Sequence, residues 1–351
     1  MGRSRPERKG RRMSNADGPR RGPGSAPTIY DVAKLAGVNP STVSRALNSP
    51  GRINAKTEAR VRAAAEELRY RLNPMARALP TGKTGTLGLI LSDITNPMIA
   101  GIVRGAQQAA AEHGYTLVLA ESQEDSELEG TAADRILRSV DGIVLAASRL
   151  DDAQIQQFAD ERPLVLINRD SDGVDSVIGD VEPGIDEAVA HLHLLGHDRI
   201  VYLSGPTQSW MSRHRAEVIQ AVGARRGVAI DVVGPNRPTL DIGPEALPRL
   251  VAAGATAVMA YNDVMAIGLI RAASHQGMVI PDDLSIVGFD DVFGADFTSP
   301  PLTTVQMPLL NLGDLAVRRL LAKIDGDTAA PKIEPPVSRL IIRGSSGRAR
   351  V

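Results

Sequence analysis

Along residues 28–48, apolar residues recur with the spacing of two short helices separated by a turn. Thr28 fits the capping position of the first helix, and Gly37 fits the left-handed conformation that ends it. Asn39 then fits the cap of the second helix, with Pro40 at its first position. The apolar residues fall on one face of each helix: Val32, Ala33 and Ala36, then Val43, Ala46 and Leu47. The polar face of the second helix carries Ser41, Thr42, Ser44 and Arg45. A slim helix that is polar outward and held by another helix across a glycine turn is typical of a helix-turn-helix.

From Thr86 onward the pattern changes to short apolar runs that alternate with amphipathic helices. The predicted strands are 87–91, 117–120, 142–145, 164–167, 200–203, 257–260 and 285–289. Helices are predicted between them, for example 101–113, 185–195 and 264–275. Strands and helices in alternation predict parallel sheets covered by helices on both faces, and the length suits two such lobes.

Two further segments flank the helix-turn-helix pattern. A third helix is predicted from about Asn54, and residues 73–80 allow a helix of less than two turns, too short to be stable alone. Residues 1–27 are rich in Arg, Gly, Pro and Ser, and their few large apolar groups predict a disordered tail. Two alternatives remain for this tail: it is a basic arm that adds phosphate contacts, or Met13 is the true first residue.

The composition narrows the class of protein. The 351 residues suffice for two or three domains, and the absence of cysteine excludes disulfides and thiol chemistry. No apolar run approaches the roughly 18–20 residues of a membrane span, and the basic N-terminal stretch lacks the core of a signal peptide. We therefore expect a cytoplasmic protein.

The formal net charge of −1 conceals two oppositely charged parts. Residues 1–84 hold 18 Lys and Arg against 6 Asp and Glu, whereas the remainder holds 22 against 35. A basic head on an acidic body is expected when only one end of a protein meets a polyanion such as DNA.

The run from Thr28 to Asn48 follows the pattern T-I-x-D-V-A-x-x-A-G-V-S-x-x-T-V-S-R-V-L-N, with Asn39 for the serine and Ala46 for a valine. Later motifs are Arg77-Ala-Leu79, Thr84-Gly-Thr-Leu-Gly-Leu-Ile90, Asn96-Pro97, Gly196-His197, Tyr261-Asn-Asp263, Val287-Gly-Phe-Asp-Asp291 and Pro301-Leu-Thr-Thr304. These motifs resemble those of the LacI/GalR (lactose-repressor) family of bacterial transcription regulators. The similarity covers nearly all of residues 28–343.

The resemblance implies a small all-α helix-turn-helix headpiece and an α/β core of two periplasmic-binding-protein-like lobes with parallel sheets flanked by helices. The implied segments are a tail at 1–27, a headpiece at 28–72, a hinge helix and linker at 73–84, and an effector-binding and dimerisation core at 85–345. Within the core, lobe 1 would comprise 85–180 with 309–336, and lobe 2 would comprise 181–305 with 337–345. The chain would cross between the lobes three times and leave a ligand cleft at the carboxyl ends of the strands.

The resemblance also implies which residues contact operator DNA. In the headpiece they are Thr28, Tyr30, Asn39, Pro40, Ser41, Thr42, Ser44, Arg45 and Asn48. In the hinge they are Asn73, Ala76 and Leu79, where Leu79 matches the leucine that wedges into the minor groove and kinks the duplex. An ordinary linker would not need a capped apolar turn that ends in leucine.

An effector site is implied in the cleft. The positions that match hydroxyl-binding residues of sugar-responsive relatives are Asn168, Arg169, Arg215, Asn262 and Asp290, and Asn96 and Met98 lie beside them. Each polar residue has a structural alternative, as an interface salt bridge or a strand-end cap. Many relatives have glutamine at Met307 and aromatic residues at Met98 and Ile99, so we expect Trp210 or Phe293 to supply the stacking surface here. These departures argue against a plain hexose as effector.

The sequence disfavours three other chemistries. Thr81-Gly-Lys-Thr84 resembles the end of a phosphate-binding loop, but Arg77 stands where that loop has its first glycine. His191, His193 and His197 have metal-like spacing, but they fall in a helix end and turn for which the resemblance implies a structural role. No motif for a nucleophile and its base is present, so no catalytic residue, cofactor or metal is predicted.

The sequence therefore predicts a transcription regulator, a repressor, that binds a palindromic double-stranded DNA operator as a homodimer. A small polar effector related to sugars would control its operator affinity. No leucine heptad follows the last core strand, so a dimer is the simplest assembly. The alternatives are a sugar-binding protein and a sugar-processing enzyme on the same core fold. An export signal without a headpiece would favour the first, and turnover of a sugar would favour the second.

Overall fold

The computed structural model describes residues 27–48, 51–70, 83–327 and 334–350. The chain separates into two compact units, Met1–Pro80 and Thr81–Val351. The predicted hinge contacts Asn73, Ala76 and Leu79 lie outside the described residues, as do residues 1–26 of the predicted tail. Within the described ranges, no helix is long and apolar enough to cross a membrane.

The described residues of the first unit form a headpiece of three helices, with α1 at Ile29–Ala36, α2 at Pro40–Asn48 and α3 at Ala55–Glu67. Gly37 ends α1 in the left-handed conformation (φ 62°, ψ 42°), as predicted. The carbonyl of Asn39 accepts the first two hydrogen bonds of α2, so this helix begins at Pro40. Asn54 caps α3, since its Oδ1 accepts from the amide of Lys56 at 2.9 Å.

Small apolar side chains form the core of the headpiece. Its buried members are Val32, Ala33, Ala36, Val43, Ala46, Val61, Ala64 and Ala65. Leu47 and Leu68 pack against them and are half-buried. The predicted apolar faces of α1 and α2 are therefore confirmed.

The second unit contains two sheets, and the first has five parallel strands. Their bounds are β1 Thr86–Leu91, β2 Thr116–Glu121, β3 Gly142–Ala146, β4 Leu164–Ile167 and β5 Ser176–Val177. The order across the sheet is β2-β1-β3-β4-β5. Three helices connect the first four strands: α4 Pro97–Glu112, α5 Ser126–Leu137 and α6 Asp152–Glu161. We call this part of the core lobe 1.

The second sheet and its helices form lobe 2. The strands are β6 Arg199–Leu203, β7 Ala229–Val233, β8 Ala257–Ala260, β9 Ser285–Asp290, β10 Thr303–Gln306 and β11 Arg339–Ile341. Their order is β11-β10-β9-β8-β6-β7, and β11 alone runs antiparallel to its neighbour within this described sheet. The helices are α7 Glu182–Leu194, α8 Trp210–Arg226, α9 Ile242–Ala252 and α10 Asp263–His275.

The chain crosses between the lobes three times at one edge of the core. It passes from β5 to α7, then from β10 to α11 (Leu309–Ile324), which packs against α4 in lobe 1, and finally returns to β11. Two crossing segments pair, because the amide of Asp180 donates to the carbonyl of Pro336 and the amide of Ser338 donates to that of Asp180. Strands β2 and β7 lie at the opposite edges of the two sheets. The crossing segments therefore connect the two lobes at the edge where β5 and β11 lie.

Two glycines bring α4 and α11 into backbone contact. A methyl group on Gly105 would overlap the carbonyl oxygen of Leu310, and one on Gly313 would overlap the carbonyl oxygen of Ile102. The missing side chains thus allow α11, from late in the chain, to pack closely on lobe 1.

All seven predicted strands are present, with bounds within one residue of the prediction. The predicted helix 101–113 instead begins at Pro97, because Asn96 caps it (Oδ1 accepts from the amide of Met98 at 3.1 Å) and proline suits the first position. Strands β5 and β11 have only two and three residues, and edge strand β7 is not buried. Such strands lack the apolar run on which the prediction rests.

Candidate functional site

The second headpiece helix has the polar outer face that the sequence predicts. Val43 and Ala46 are buried in the headpiece core, whereas Ser41 and Arg45 are exposed on the other side of α2. The Arg45 side chain makes no hydrogen bond or ion pair with another described residue. Its guanidinium, with five donors in a planar fork, is therefore accessible to an external acceptor.

The other predicted headpiece contacts surround this face. Thr42 and Ser44 are half-buried on α2, and Tyr30 on α1 is 71% exposed. The amide and hydroxyl of Thr28 both donate to Oδ2 of Asp31 at 2.7 Å, which fixes the start of α1. The ends of α2 carry Asn39, Pro40 and Asn48. As DNA contacts, these residues stay predictions.

In the core, the carboxyl ends of the strands of both lobes enclose one cavity, which we call the inner cavity. Lobe 1 contributes Ser92, Asn96, Met98, Glu124, Ala147, Arg149 and Asn168, and lobe 2 contributes Met211, Arg215, Pro238, Tyr261, Asn262 and Asp290. Loops that follow parallel strands meet at this edge of the two sheets, so residues distant in sequence converge here.

A buried ion pair forms the lobe 2 wall of the inner cavity. Nη2 of Arg215 donates to Oδ1 of Asp290 at 2.9 Å, and both side chains are almost fully buried. Nη1 of Arg215 donates to the carbonyl of Tyr261 at 2.5 Å, and the guanidinium lies 3.7 Å from the ring centre of Phe289. Burial raises the pKa of Asp290, and the charge of Arg215 opposes this effect. Asp290 is thus already engaged by Arg215 before any ligand binds.

Two donors in this wall have no partner among the described residues. They are Nε of Arg215 and Nδ2 of Asn262, and both atoms are buried. Oδ1 of Asn262 caps α10 by accepting from the amide of Met265 at 3.0 Å, so only its Nδ2 remains. Buried donors are normally paired, and an unpaired one costs about 1–3 kcal/mol.

A second ion pair forms the lobe 1 wall. Nε of Arg149 donates to Oε2 of Glu124 at 2.8 Å, and the amide of Arg149 donates to buried Glu129 at 2.7 Å. Burial raises the pKa of the Glu129 carboxyl. Glu124, Ala147 and Asn168 adopt φ values between 55° and 62°, which non-glycine residues seldom do. Such backbone persists where the surrounding structure holds it, and it is concentrated at binding sites.

The inner cavity is nearly closed in this structure. About 20 Å³ is accessible to the centre of a water molecule, which suffices for one water. Ligand pockets in proteins typically measure about 300–1,000 Å³. The inner cavity, as this structure has it, is therefore too small for a sugar-sized molecule.

The structure brings six of the ten predicted effector residues to the inner cavity: Asn96, Met98, Asn168, Arg215, Asn262 and Asp290. Arg169 does not line it, because its Nη2 donates to Oδ1 of Asp152 at 2.7 Å, at the start of α6. Trp210 is stacked on His214, with ring centres 4.8 Å apart, and also lies outside the lining.

Phe293 and Met307 are likewise not in the lining. Phe293 is 85% exposed and makes an edge contact with Phe297. Met307 is buried and packs against Gly179. The aromatic ring in the lining belongs to Tyr261, and a stacking role of Trp210 or Phe293 stays a prediction.

Sequence reasoning missed seven residues of the lining. They are Ser92, Glu124, Ala147, Arg149, Met211, Pro238 and Tyr261. The signal that could have found several of them is their position just after predicted strands, where the cleft was expected. Met211 lies one helical turn before Arg215, and Tyr261 directly precedes Asn262.

The residues of the rejected motifs serve the fold. The amides of Thr84 and Gly85 donate to the carboxylate of Asp141, at 2.6 and 2.8 Å. Nε2 of His191 bonds Ser346, and the ring of His197 bonds Thr256 and Ser285. Within the described residues, no group of three His, Cys, Asp or Glu could hold a metal ion.

Comparisons with known proteins bear on both units. The family model described as bacterial regulatory proteins, lacI family, matches residues 28–73, and that of a periplasmic binding protein-like domain matches residues 189–346. The HTH-type transcriptional repressor CytR of Escherichia coli (strain K12) is 33% identical over 330 residues, which cover 92% of this chain and 97% of that protein. The ribose operon repressor of the same strain is 32% identical over 330 residues, 91% of this chain and 99% of its own length.

Among solved structures, the lac repressor dimer bound to operator and the anti-inducer ONPF matches with a TM-score of 0.83 at 28% identity. The match covers 92% of this chain and 100% of that chain. The match therefore includes the headpiece and both lobes, in the same order along the two chains. The chain therefore belongs to the lacI family of bacterial regulatory proteins.

Proposed function

We propose that this protein is a sequence-specific transcription repressor. It binds a palindromic DNA operator as a homodimer, and a small hydroxyl-rich effector in the inner cavity controls its operator affinity. The observation that carries the proposal is the exposed polar face of α2, with the unpaired guanidinium of Arg45, on a headpiece of the lacI family. The repressors among its relatives and the operator-bound lac repressor dimer support it.

The proposed DNA contacts follow from the shape of α2. Small hydroxyl residues on the outer face let the helix approach the base edges in the major groove. Arg45 is the one long donor on that face, and its fork matches the O6 and N7 acceptors of guanine. A two-fold dimer would present two such helices, which accounts for a palindromic operator.

The proposed effector site is the inner cavity, with Asn96, Met98, Asn168, Arg215, Asn262 and Asp290 in its wall. Hydroxyl or ring oxygens of the effector would accept from the unpartnered Nε of Arg215 and Nδ2 of Asn262. The second oxygen of Asp290 and the side chain of Asn168 would bond further hydroxyls. The similarity to the ribose operon repressor and to the lac repressor bound to ONPF supports a sugar-like effector.

The proposed role of the cavity is binding, with no catalysis. Its carboxylates Glu124 and Asp290 are each held by a guanidinium, Arg149 and Arg215 respectively. Neither is left as the free base that proton abstraction would need. Binding that favours one arrangement of the lobes shifts the protein toward that arrangement. Operator affinity then changes by the same factor as effector affinity.

The experiment uses an operator selected from randomised duplexes with the purified protein. Anisotropy titrations compare Arg45→Ala with the wild type on this operator and on a scrambled duplex. Loss of a bidentate guanine contact is expected to cost about 1–3 kcal/mol on the operator and to relax the preference at one position per half-site. Binding to the scrambled duplex is expected to weaken only slightly.

Arg60→Ala is the matched control, because Arg60 is an exposed cation of the headpiece that lies on α3 and not on α2. It removes the same charge from the headpiece and is expected to weaken both duplexes equally. If Arg45→Ala also weakened both equally, α2 would not be the recognition helix. If no operator emerged from the selection, the proposed function would be wrong.

A further inference from the structure

Residues 344–350 follow β11 and lie along lobe 2 without regular secondary structure, and we call this segment the strap. The amide of Ile286, in β9, donates to the carbonyl of Ser345 at 2.7 Å. The amide of Ala349 donates to the carbonyl of Leu195, just after α7, at 2.9 Å. The strap therefore crosses the amino-terminal end of β9 and reaches the carboxyl-terminal end of α7.

The strap pairs buried polar groups at the start of β9 and β10. Ser345 is fully buried, and its Oγ donates to the carbonyl of Ile286 at 2.6 Å and accepts from the amide of Thr303 at 2.8 Å. The amide of Gly347 donates to Oγ of Ser285, the first residue of β9, at 3.0 Å. Because buried polar groups are normally paired, the strap completes the hydrogen bonding of this edge of the sheet.

Two imidazoles hold the strap from the side of α7. Nε2 of His197 lies 3.0 Å from the carbonyl oxygen of Gly347, and its Nδ1 lies 2.9 Å from the hydroxyl of Thr256. A carbonyl can only accept, so in the neutral ring Nε2 carries the proton and Nδ1 accepts from the hydroxyl. Nε2 of His191 lies 2.9 Å from Oγ of Ser346. His197 is buried and His191 is half-buried, so both contacts are shielded from water.

The surroundings of the two imidazoles disfavour a positive charge. The groups that contact them are uncharged: the hydroxyls of Thr256, Ser285 and Ser346 and the carbonyl of Gly347. Burial lowers the pKa of His197, and the carbonyl of Gly347 opposes this effect. Burial also lowers the pKa of His191, and the charge of a protonated His197 lowers it further.

The ionisable side chains on the neighbouring elements have other partners or are exposed. Arg343 pairs with Asp291, Arg350 with Asp283, His193 with Asp198, Asp186 with Arg225 and Arg226, Glu187 accepts from the amide of Leu340, and Asp282 and Arg348 are exposed. Among the described residues, no carboxylate contacts the ring of His191 or His197 within ion-pair distance. A proton on either ring is therefore not offset by a neighbouring negative charge.

We propose that the strap is a pH-sensitive device, which His191 and His197 hold on lobe 2 as neutral imidazoles and release when they are protonated. Release would free the amino-terminal end of β9, whose other end carries Asp290 in the wall of the inner cavity. This inference depends on neither the operator nor the effector, because it concerns an edge of lobe 2 that is remote in the strand from that cavity.

The direction of the pH dependence follows from the two forms of the strap. When the strap is detached, the imidazoles reach water and their pKa returns toward the ordinary value of about 6.5. The attached form has lower pKa values, so below about pH 6.5 the detached form binds more protons. Attachment thus has its full strength above this pH. As the pH falls below it, attachment weakens by up to about tenfold per pH unit for each ring.

The first experiment is hydrogen exchange of the full-length protein, measured by mass spectrometry at about pH 7.5 and about pH 5.5 and corrected for intrinsic exchange rates. Protection of the peptides that contain Ile286, Thr303 and Ala349 is expected to fall about tenfold or more at the lower pH. Protection of β3 in lobe 1 is expected to stay constant. Constant protection of the strap contacts would overturn the proposal. An equal loss in β3 would also overturn it, because the protein would then unfold as a whole in acid.

The second experiment assigns the response to the imidazoles with the double variant His191→Gln/His197→Gln. Glutamine takes up no proton in this range, and its amide group can donate to the carbonyl of Gly347 and to Oγ of Ser346. Protection of the strap contacts is expected to differ less than about twofold between the two pH values. If this variant showed the same loss as the wild type, the imidazoles would not control the strap.

His193→Gln is the matched control, because His193 lies on the same end of α7 and its ring contacts Asp198. It is expected to keep the pH dependence of the wild type. If His193→Gln removed this dependence, the response would belong to His193 and the proposal would be wrong.

The single variant His191→Gln serves if the double variant does not fold, since His191 is half-buried. Removal of one of the two protons is expected to reduce the loss of protection by up to about tenfold. A loss as large as that of the wild type would exclude His191 and with it the proposed pair.

Discussion

At the scale of the residue, the pair of Arg215 and Asp290 determines what the inner cavity can bind. Both charged groups are buried, and their mutual attraction offsets part of the free-energy cost of removing each from water. Oδ1 of Asp290 is therefore already engaged by Nη2 of Arg215, and Oδ2 is the other acceptor of this carboxylate. The nitrogen of Arg215 that has no hydrogen-bond partner among the described residues is Nε.

This pairing predicts the effect of substitutions on stability. Asp290→Leu removes the partner of a buried guanidinium, so the free energy of unfolding is expected to fall by about 3–5 kcal/mol. Arg215→Met is expected to cost a similar amount, because it leaves the carboxylate unpaired. The double variant replaces the ion pair with an apolar pair and leaves no buried charge unpaired, so it is expected to be more stable than either single variant. Urea unfolding of the four proteins measures these values, and additive losses would show that the two side chains are not coupled.

Single residues also show why only part of the site could be predicted. The family resemblance predicted the positions of Arg215, Asn262 and Asp290 in the cavity wall, because these residues are buried and the fold fixes their place. Arg169 lies in a loop, where the nearby carboxylate of Asp152 competes for its guanidinium. The pairing of Arg149 with Glu124 depends on left-handed backbone at Glu124 and Ala147, which no apolar pattern encodes.

At the scale of the element, the hydrophobic pattern predicted the strands that have a run of apolar residues, and it missed β10, which is buried but has the sequence Thr-Thr-Val-Gln. Each long core strand appeared as an apolar run, and its bounds were correct within one residue. Short or exposed strands, such as β5 and β7, left no such pattern. The contact between α4 and α11 was also not predicted from the residues, since it depends on two glycines more than 200 residues apart, Gly105 and Gly313.

This contact can be tested with a pair of glycine substitutions. Gly313→Ala would place a methyl group on the carbonyl oxygen of Ile102, so the helices must move apart. We expect the free energy of unfolding to fall by about 1–3 kcal/mol. Gly130→Ala in α5 is the control, because the nearest atom to its methyl group would be 3.9 Å away. It is expected to raise stability by about 0.5–1 kcal/mol through helix propensity.

Chemical denaturation of both variants and the wild type decides the matter. Equal small effects of the two alanines would mean that α4 and α11 are not packed backbone to backbone. A loss confined to Gly313→Ala supports the packing and predicts weaker effector binding, since Asn96 and Met98 lie at the start of α4.

At the scale of the whole molecule, the uneven charge confines DNA affinity to one end. Residues 1–84 carry 12 more cationic than anionic side chains, whereas the rest of the chain carries 13 more anionic ones. An acidic core repels phosphates, so it disfavours binding of the core to DNA and leaves that contact to the headpiece. Part of the positive charge lies in residues 1–26, with eight Lys and Arg against two acidic residues.

Deletion of residues 1–26 is expected to weaken binding to the operator and to scrambled DNA by the same factor. The expected cause is fewer phosphate contacts, each of which contributes about 0.9 to the slope of log affinity against log salt. The slope should therefore become shallower while the ratio of specific to non-specific affinity stays constant. Anisotropy titrations at several salt concentrations measure both quantities. A change in the ratio would assign base recognition to this segment.

The late position of α11 in the chain has a consequence for how the protein is made. About 130 residues separate the end of β5 from the start of α11. A ribosome adds roughly 5–20 residues per second. Helix α11 is therefore synthesised about 7–26 s after the sheet that it covers. During this interval the surface of α4 around Gly105 faces water or other nascent chains. Most of lobe 2 is synthesised while lobe 1 still lacks a helix. Assembly of lobe 1 thus waits for nearly the whole chain, and a message truncated before α11 yields a headpiece joined to a core that cannot close.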